Sequence, residues 1–557
     1  MKSMKSFLAV WLLASLGICL SAQPAIRSPF GILNSASYAY PGLPNSSIAQ
    51  GSLFAIFGTN LGPSAPVNAL TFPLQTTLGG TSIQVTSGGT TVAAVPLYVS
   101  ATQINAVLPS NTPTGSATLT VTYNTQQSAA EAFQVIANSV GVYSVASNGT
   151  GAGAITNNVV IYGPTNPAHP GDTSVMWATG LGPVQGNEFA GPLPGNMPNV
   201  PVEIFVGGQQ ASVGYRGRSG CCTGLDQIVF TVPSGALGCN VPVAVQINNV
   251  VSNFTTMPIA AAGTSTCTDS SGTIDYSQFQ AKGTVSLGSV SLSRTALTET
   301  LPAPIGTVSG TTDTGSATFY KYTYQQITES NPLQAYSFGA CTVFVYAGNS
   351  AAIPTAIPTP LDAGKPITVT GPNGAMTLTE QSTGLYSATL GGGVSIPGEP
   401  APPPLYLSPG AYTVTGPGGS AVGAFSTNLT VYQPLDWTNE SAINIIERAS
   451  GQSVTWSGGN PNGTVMIEGY SAVPGTNPNG SDTVGGIFIC YAPDSAGQFS
   501  IPPVVLLSLP PSGTTGGISL GAMIISNYTS TSFSASGLDL GYASTSDVVF
   551  KLPVAYQ

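Results

Sequence analysis

The sequence predicts an all-β protein in which tandem β-sandwiches are followed by further β-rich domains. Charged residues make up only 6% of the 557 residues, and 68 Gly and 46 Pro interrupt the chain. Val, Thr, Ile and Tyr recur in short alternating runs between Gly, Pro and Asn clusters, a pattern typical of short strands. Helical periodicity is confined to two brief segments, ESAINIIERAS at 440–450 and VVLLSLP at 504–510.

The N-terminus has the layout of a cleavable secretory signal peptide, predicted over residues 1–22. Lys2 and Lys5 precede an apolar run at 7–20 that is too short for a stable membrane anchor. The alternative is acylation of Cys19, although the Ile before it does not suit that processing. No later segment is apolar enough for a transmembrane helix. We therefore expect an exported, soluble protein, secreted or at the cell surface.

The charge distribution argues against a nucleic-acid partner. The formal net charge is −10, with 11 Lys and Arg against 21 Asp and Glu. Proteins bind a phosphate backbone through clustered basic residues, and the sequence has no such cluster. The acids are scattered singly, so the sequence predicts neither an acidic tail nor a dense cation site.

An internal repeat occupies the N-terminal half. The segment LFAIFGTNLGP at 53–63 recurs as SVMWATGLGP at 174–183. Further positions correspond in the same order: Gly62 with Gly182, Gly89 with Gly208, Gln103 with Gln227, and Pro109 with Pro233. The offset grows by a few residues where a cysteine-rich loop interrupts the second copy. This period, with several strand-like runs in each copy, predicts one β-sandwich per repeat.

Several phrases carry a family resemblance. NSASY at 34–38, PLYVSATQINAVLP at 96–109 and NPAHPGDTSVMWATGLGP at 166–183 resemble the paired TIG-type immunoglobulin-like modules of secreted bacterial proteins, which are abundant in acidobacteria. VTWSGGNPNGTVMIEG at 454–469 and FICYAPDSAGQFSIPPVVLLSLP at 488–510 resemble a β segment that accompanies such modules. The resemblance implies an immunoglobulin-like fold and carries over no catalytic residues.

Four domains are expected after the signal peptide. The first TIG/Ig-like sandwich is predicted at 30–140, and the second, with a disulfide loop, at 141–268. A β-rich domain with Pro-rich loops follows at 272–432, and a C-terminal Ig-like sandwich at 433–557. Within the last unit we expect Trp456 to be buried between its sheets.

Four cysteines are predicted to form two disulfides, because an exported chain meets an oxidising environment. Cys221 and Cys222 are adjacent, and a ring between neighbours strains the peptide that joins them. Each is therefore expected to pair with one of Cys239 and Cys267, in either connectivity. A zinc site is the rival interpretation, but CxxC spacing is missing and His169 is the only histidine.

Cys341 and Cys490 lie in different predicted units, and we expect both to be buried, reduced thiols. A bridge between the units is the alternative. In the cysteine loop, Asp226 is expected to form an ion pair with Arg216 or Arg218 that fixes the loop.

No catalytic residue is predicted. His169 lies in a Pro-flanked turn, where a surface position is more common than a catalytic one. The scattered acids Glu188, Glu203, Glu380 and Glu468 form no local pair of the kind that hydrolyses a glycosidic bond, although folding could assemble one.

No metal ion or other cofactor is predicted either. NPNGSDT at 477–483 offers Asn477, Asn479 and Asp482 at alternating positions, as a calcium loop would. Further carboxylates are missing, so a turn-forming role for these residues is favoured.

Tyr320, Tyr322 and Tyr324 recur at every second position of ATFYKYTYQQ, which on a strand places all three on one face. Packing of that face half into a core is favoured, and an exposed aromatic platform for a ligand such as a polysaccharide is the alternative.

These observations predict a non-catalytic, secreted or cell-surface protein that acts in binding, adhesion or scaffolding. A polysaccharide or a cell-surface protein is the expected partner. The alternative is a secreted glycan-active hydrolase whose carboxylates meet only in the folded chain.

Overall fold

A computed structural model describes most of the chain, and its architecture is almost entirely β, as predicted. The described residues are 22–268, 276–300, 306–330, 339–348, 350–351, 357–395, 400–475 and 482–557. The predicted signal peptide up to residue 21, with the alternative lipid site at Cys19, lies outside the described residues. So do Asn477 and Asn479 of the calcium loop considered above.

The first module (residues 25–136) is a β-sandwich in which one long strand joins the two sheets. The first half of β8 pairs with β7 and its second half pairs with β9, so the polypeptide passes from one sheet to the other. The side chains of Phe54, Ile56, Ile83 and Leu119 are fully buried between the sheets. The strands are β1 (Ala25–Ile26), β2 (Ile32–Asn34), β3 (Ile48–Ala49), β4 (Leu53–Thr59), β5 (Val67–Asn68), β6 (Thr77–Leu78), β7 (Thr81–Ser87), β8 (Thr90–Val99), β9 (Gln103–Val107), β10 (Gly115–Tyr123), β11 (Gln126–Gln127) and β12 (Glu131–Ile136).

The second module (residues 141–259) is a sandwich of two separate sheets. One sheet has the order β13-β15-β20-β19-β16, with β14 also on β15, and the other has the order β18-β17-β21-β22, with β23 also on β21. Met176, Ile204, Ile228 and Val243 are buried between them. The strands are β13 (Gly141–Val142), β14 (Ile155–Thr156), β15 (Thr173–Thr179), β16 (Gly195–Asn196), β17 (Val202–Val206), β18 (Gln209–Ala211), β19 (Val213–Arg218), β20 (Asp226–Thr231), β21 (Gly238–Ile247), β22 (Val250–Val251) and β23 (Thr255–Ile259).

The repeat seen in the sequence is also present in the strand register. In the first module Phe57 of β4 lies opposite Gln103 of β9. In the second module Trp177 of β15 lies opposite Gln227 of β20, and these are the residues that correspond in the repeat. The two copies therefore share strand pairing as well as sequence.

A pair of glycines closes the same hairpin in both modules. Gly88 and Gly89 have φ values of 56° and 78°, and Gly207 and Gly208 have φ values of 58° and 78°. Two consecutive left-handed residues form the tight turn whose twist matches that of the flanking strands, and glycine adopts this conformation without steric cost.

The C-terminal body (residues 276–557) is built on one long sheet. Its order is β27-β26-β39-β38-β43-β44-β24-β25-β31-β30-β29-β32-β33, with β28 also on β25. The strands are β24 (Thr284–Thr300), β25 (Thr307–Thr323), β26 (Cys341–Ala347), β27 (Ser350–Ala351), β28 (Thr359–Pro360), β29 (Ile367–Gly371), β30 (Gly374–Ser382), β31 (Leu385–Val394), β32 (Gly410–Gly416), β33 (Phe425–Val431), β34 (Leu435–Asp436), β35 (Ile445–Ile446), β36 (Gln452–Thr455), β37 (Ser457–Gly458), β38 (Thr464–Val473), β39 (Val484–Pro493), β40 (Gln498–Ile501), β41 (Thr514–Thr515), β42 (Ile518–Ser519), β43 (Gly521–Phe533), β44 (Leu540–Leu552) and β45 (Ala555–Tyr556).

Two hydrophobic cores lie on this body. The Tyr412 lobe is centred on Phe319, Tyr386 and Tyr412, and the Trp456 lobe is centred on Trp437 and Trp456. Trp456 is buried, as expected, and lies one residue beyond β36. The lobes share strands, because β24 pairs with β44 and β26 pairs with β39 across the boundary predicted at 432/433.

Among the described residues, three short α-helices interrupt the β-structure: α1 (Tyr276–Lys282), α2 (Tyr324–Ser330) and α3 (Pro503–Leu506). The segment 504–510, which showed helical periodicity, overlaps α3. The segment 440–450 forms two 3-10 turns, Glu440–Ala442 and Arg448–Ser450, with the short strand β35 between them.

Both modules pack on the Trp456 lobe. Ala244 and Val251 of the second module belong to the Trp456 core cluster. Ala39 and Leu43 of the first module form a smaller buried cluster with Val484 of that lobe. Because both modules bury side chains against the same lobe, their positions are fixed by the C-terminal body as well as by each other.

Candidate binding site between the first two modules

A cleft of ≈ 530 Å³ opens where the first module meets the second. This volume lies within the range of ligand pockets. A turn that follows β9 in the first module forms one wall, and the loop that follows β15 in the second module forms the other. The lining residues are Pro109, Ser110, Asn111, Pro183, Val184, Gln185, Gly186, Asn187, Glu188 and Phe189.

The first wall is a turn fixed by its own side chains. Thr112 closes it, since its backbone N–H and its hydroxyl both donate to the Pro109 carbonyl, at 3.0 and 2.7 Å. Gln50 then donates from Nε2 to the Thr112 carbonyl at 2.6 Å. Asn111, at the tip, is left exposed to the cleft.

The second wall begins at Gly182, in the LGP motif shared by both modules. Gly182 has a φ of +126°, and a Cβ there would lie 2.7 Å from Nδ2 of Asn138. That amide donates to the Leu181 carbonyl at 2.6 Å. Only glycine fits this bend, which directs residues 183–189 along the first module.

Glu188 is the buried acid of the cleft, with only 5% of its surface exposed. Its Oε1 accepts a hydrogen bond from the Ser110 backbone N–H of the first module, at 2.8 Å. Its other oxygen, Oε2, is buried and has no hydrogen-bond partner. A buried carboxylate oxygen without a donor costs free energy of folding.

Neutral polar side chains and one aromatic ring form the rest of the lining. Asn111, Gln185 and Asn187 are exposed, and Phe189 is half-buried. Oδ1 of Asn187 accepts the Phe189 N–H at 3.2 Å, which fixes the orientation of the amide. Side-chain amides both donate and accept hydrogen bonds, so these walls can bind a ligand that is rich in hydroxyl groups.

A loop of the first module continues the cleft outward. The Leu74 N–H donates to the Phe189 carbonyl at 2.8 Å, so the loop lies alongside the second wall. Phe72, two residues earlier, is 40% exposed. This loop therefore carries an exposed aromatic ring.

Beneath the cleft, Arg218 joins the two modules. Its Nη2 donates to the Gly51 carbonyl of the first module at 2.6 Å and to the Gly182 carbonyl of the second at 2.7 Å. Its Nη1 forms an ion pair with Oδ1 of Asp226. The sequence left Arg216 and Arg218 open as partners of Asp226, and the structure selects Arg218.

Asp226 is fully buried and is held by more than the arginine. Its Oδ2 accepts the Leu181 N–H at 2.8 Å. Burial raises the pKa of Asp226, and the Arg218 guanidinium and the Leu181 N–H oppose this shift because they favour the charged form. The pair fixes the cysteine loop, as expected, and in addition fixes the junction between the modules.

Further hydrogen bonds fasten the junction. The Leu53 N–H donates to Oγ1 of Thr179 at 2.9 Å, and that hydroxyl donates to the Gly224 carbonyl at 2.7 Å. The hydroxyls of Ser35 and Tyr143 lie 2.9 Å apart. Burial raises the pKa of Tyr143, so its phenol stays protonated and available as a donor.

The predicted disulfide pairing in the cysteine loop is wrong. Cys221 pairs with its neighbour Cys222, and Cys239 pairs with Cys267. Cys221 and Cys222 are exposed on a turn, whereas Cys239 and Cys267 face each other in a buried cluster beneath α1. The two pairs therefore lie in different environments, one exposed and one buried. The ring strain expected between neighbouring cysteines did not prevent Cys221 and Cys222 from pairing.

Cys341 and Cys490 form a third disulfide, so the expectation of two reduced thiols is also wrong and the alternative bridge is present. The two residues lie directly opposite each other on the antiparallel strands β26 and β39. Their Cα atoms are 4.0 Å apart, because the strand register brings together positions separated by 149 residues.

The three tyrosines do not share one strand face. Tyr320 and Tyr322 lie on β25 with ring centroids 6.4 Å apart, but Tyr324 begins α2. Thr323 ends the strand in a capping box with Gln326, because each accepts a hydrogen bond from the other's backbone N–H, at 3.2 and 2.7 Å. Tyr322 and Tyr324 pack against the Cys239–Cys267 cluster, and burial raises the pKa of both.

His169 and the remaining acids lie apart from the cleft. Nε2 of His169 is 2.8 Å from the Thr264 carbonyl, and its Nδ1 is 3.5 Å from Oδ2 of Asp172. Glu203 accepts a hydrogen bond from Gln210 at 3.0 Å. Glu380 pairs with Lys365 on the surface, and Glu468 lies on β38, where burial raises its pKa. Each of the predicted acids is thus on a different element.

Across the described residues, no group of three or more His, Cys, Asp or Glu side chains could hold a metal ion. None of the helices in the described ranges is long and apolar enough to cross a membrane.

Residues 41–135 match the IPT/TIG domain family. The first module is therefore similar to an IPT/TIG domain. This agrees with the resemblance seen in the sequence, while the acidobacterial origin and the companion C-terminal segment stay predictions. No curated protein matches the chain by sequence.

Solved structures with matching segments include surface proteins of bacteria. One is the SGBP-B protein of a Bacteroides ovatus mixed-linkage glucan utilization locus, in complex with a heptasaccharide; it is 9% identical, with 84% of this chain and 98% of that chain covered and a TM-score of 0.12. Another is domains 5–6 of the S-layer protein SbsC, 12% identical, with 43% and 99% covered and a TM-score of 0.15. At such scores these likenesses carry no argument about domain arrangement or ligands.

Sequence reasoning did not find the cleft. In the sequence Glu188 is one of several scattered acids, and Asn111, Gln185 and Phe189 carry no signal. One signal for the second wall was available, because Pro183 of the LGP motif, which both modules share, follows the bend at Gly182. The position of the first wall opposite it depends on how the modules dock, which the sequence does not encode locally.

Proposed function

We propose that the protein is a non-catalytic binding and scaffolding protein, located outside the cell or on its surface, and that its ligand class is neutral polysaccharide. The observation that carries this proposal is the fixed junction between the first two modules. Arg218 bonds to carbonyl groups of both, and the Trp456 lobe packs against both. A site formed between two such modules is held in shape before a ligand arrives.

Rigidity matters here because binding is opposed by the entropy of ordering loops and side chains. Loops from two flexibly linked domains would have to be ordered when a ligand binds. In this chain the ordering is supplied by folding, through buried hydrogen bonds and an ion pair. The arrangement suits a protein that presents a preformed surface to an extended polymer.

Location outside the cytoplasm is supported by the covalent structure. The described residues contain three disulfides, and disulfides persist in oxidising compartments such as the extracellular space and the bacterial periplasm. The predicted signal peptide agrees with this location.

The alternative hydrolase would need two carboxyl groups on either side of a scissile bond, between about 5 and 10 Å apart. Glu188 is the one acid among the lining residues of the cleft, and the other acids proposed from the sequence lie on separate elements. This arrangement favours binding over hydrolysis at the cleft.

The test uses the full-length protein. Affinity gel electrophoresis through gels containing hydroxyethyl cellulose, galactomannan or dextran should show retarded migration in at least one gel. A parallel assay for new reducing ends should show none above background. Release of reducing ends that depends on the protein would contradict the proposal and favour the hydrolase.

A further inference from the structure

The three disulfides of the described residues differ in their exposure to solvent. Cys221 and Cys222 are both exposed, on the turn of the loop at residues 219–225. The other four paired cysteines are at most 5% exposed: Cys239, Cys267, Cys341 and Cys490. A thiol must reach a sulfur atom in order to exchange with it, so the exposed pair should differ from the buried pairs in reactivity.

We propose that the Cys221–Cys222 pair is a thiol–disulfide exchange site, at which an external dithiol reduces the pair and loosens the loop at residues 219–225. Exposed disulfides are the labile ones in proteins, whereas structural disulfides resist reduction. Neither cysteine lines the cleft, and the exchange requires no polysaccharide. The inference therefore goes beyond the proposed function and does not depend on it.

A buried hydroxyl indicates which sulfur leaves. Oγ of Ser219 lies 3.5 Å from Sγ of Cys221, and Ser219 is only 1% exposed. A sulfur atom in a disulfide carries no hydrogen, so the hydroxyl is the donor of this hydrogen bond. The same hydroxyl can stabilise negative charge on Sγ of Cys221 when the S–S bond breaks, and a stabilised thiolate leaves faster. The structure therefore predicts attack at Sγ of Cys222.

The exchange conserves atoms and electrons. One thiolate of the dithiol attacks Sγ of Cys222 and forms a mixed disulfide, while the Cys221–Cys222 bond breaks and Cys221 leaves as a thiolate. The second thiolate of the reagent then attacks the reagent sulfur of the mixed disulfide, which releases Cys222. The reagent is oxidised to a disulfide, the protein pair is reduced to two thiols, and the protons that the reagent loses end on Cys221 and Cys222.

The residues that immediately follow the pair hold the second wall of the cleft. Oγ1 of Thr223 donates to the Glu188 carbonyl at 2.8 Å, and the Gly224 carbonyl accepts from Oγ1 of Thr179 at 2.7 Å. Thr223 and Gly224 are buried, so the loop passes directly from the exposed pair into the junction. Opening the ring between neighbouring cysteines returns backbone freedom to the loop. Reduction should therefore loosen residues 219–225 and, through Thr223, the wall near Glu188.

The first experiment treats the full-length folded protein with dithiothreitol for increasing times, blocks free thiols with iodoacetamide and maps the peptides. Cys221 and Cys222 should be blocked faster than the other four cysteines by about tenfold or more, because only their pair is exposed among the three. Equal rates of reduction for the exposed and buried pairs would overturn the proposal.

A second experiment identifies the sulfur that is attacked. With glutathione as the thiol and N-ethylmaleimide as the trap, glutathione should be found on Cys222 and the maleimide on Cys221. Ser219→Ala should slow reduction by about three- to tenfold, because the donor to the leaving sulfur is lost, and should let glutathione add to either cysteine. Glutathione on Cys221 in the unaltered protein would overturn the predicted direction of attack.

A matched control tests whether loss of any buried hydroxyl in the second module has this effect. Ser174 is also buried there, and its hydroxyl donates to Tyr162 rather than to a sulfur. Ser174→Ala should be reduced at the rate of the unaltered protein. If Ser174→Ala and Ser219→Ala slow reduction equally, the role assigned to the Ser219 hydroxyl is overturned.

Hydrogen exchange tests the coupling to the cleft. Reduction by dithiothreitol should speed amide exchange in residues 219–225 and 187–190, and leave the corresponding turn of the first module, residues 100–102, unchanged. The double variant Cys221→Ser, Cys222→Ser should show the faster exchange without the reagent and no further response to it. Exchange at 219–225 that is the same before and after reduction would overturn the loosening. Failure of polysaccharides to retain the protein would bear on the proposed function alone.

Discussion

The first and second modules are two copies of one design, and the connection that carries the cysteine loop differs between them. In the first module, residues 100–102 join β8 to β9 in a short turn, and Ser100 Oγ accepts the N–H of Gln103, the first residue of β9, at 3.0 Å. In the second, residues 219–225 form a longer loop with the Cys221–Cys222 pair, and its ends are the buried residues Arg218 and Asp226. The first module has the short turn, whereas the longer loop of the second module is flanked by the two residues that hold the junction between the modules.

What the copies share confirms that the difference is local. Ser128 in the first module and Ser252 in the second each accept a backbone N–H at 3.0 Å, from Val121 and Val245. Each also donates to the carbonyl of the following residue, at 2.8 and 2.7 Å. A repeat can thus carry an additional interface on one lengthened turn while its framework is kept.

The largest effect is expected from breaking the buried ion pair. Arg218→Val should lower the free energy of unfolding by about 3–5 kcal/mol, because it leaves the buried Asp226 charge without its partner. Replacing both residues by apolar side chains removes both buried charges, so neither is left without its partner. The double variant Arg218→Val, Asp226→Ile should therefore be less destabilised than the single one.

Denaturant unfolding of the full-length protein measures both variants. The double variant should not regain full stability, because the Gly51 and Gly182 carbonyls lose their donor. A single variant that unfolds at the same denaturant concentration as the unaltered protein would show that the junction does not depend on Arg218.

The two disulfides of the second module should contribute unequally to the free energy of unfolding. Replacing Cys239 and Cys267 by Ser opens a loop of 28 residues and should cost about 3 kcal/mol. Replacing Cys221 and Cys222 by Ser opens no loop beyond the pair itself and should cost far less. Non-reducing peptide mapping identifies the pairs, and a link between Cys221 or Cys222 and either distant cysteine would refute the assignment.

A smaller difference in stability is expected between alanine variants of the two glycine hairpins. Gly89→Ala and Gly208→Ala both force a left-handed residue at φ +78°, at a cost of about 1–2 kcal/mol each. A Cβ at Gly89 meets nothing within 4 Å, whereas one at Gly208 would lie 2.8 Å from the Gly339 carbonyl. Gly208→Ala should therefore be the more destabilising, and equal denaturant midpoints would contradict packing of the second module on the C-terminal body.

Local patterns predicted the fold well. The alternation in β7 and the paired glycines of both hairpins depend on a few neighbouring residues, so the β class and the repeat were visible in the sequence. The Asp226 ion pair was also visible, because its partners are eight residues apart. The end of β25 was missed although its signal is local, since Thr323 and Gln326 match the capping pattern.

Features that depend on distant register were not predictable in the same way. The Cys341–Cys490 bridge exists because β26 and β39 pair in one register, and no short-range pattern encodes that pairing. The cleft has the same origin. The Ser110 N–H and Oε1 of Glu188 are 78 residues apart and meet only because two modules dock.

The most direct test of the central claim is hydrogen exchange of the full-length protein with and without the polysaccharide that retains it. Binding in the cleft should slow amide exchange in residues 109–112 and 183–189. Residues 233–236 and 63–69 hold the equivalent positions in the opposite modules, and their exchange should not change. Protection at these equivalent segments, or at Tyr320–Tyr322 without any at 183–189, would contradict the account.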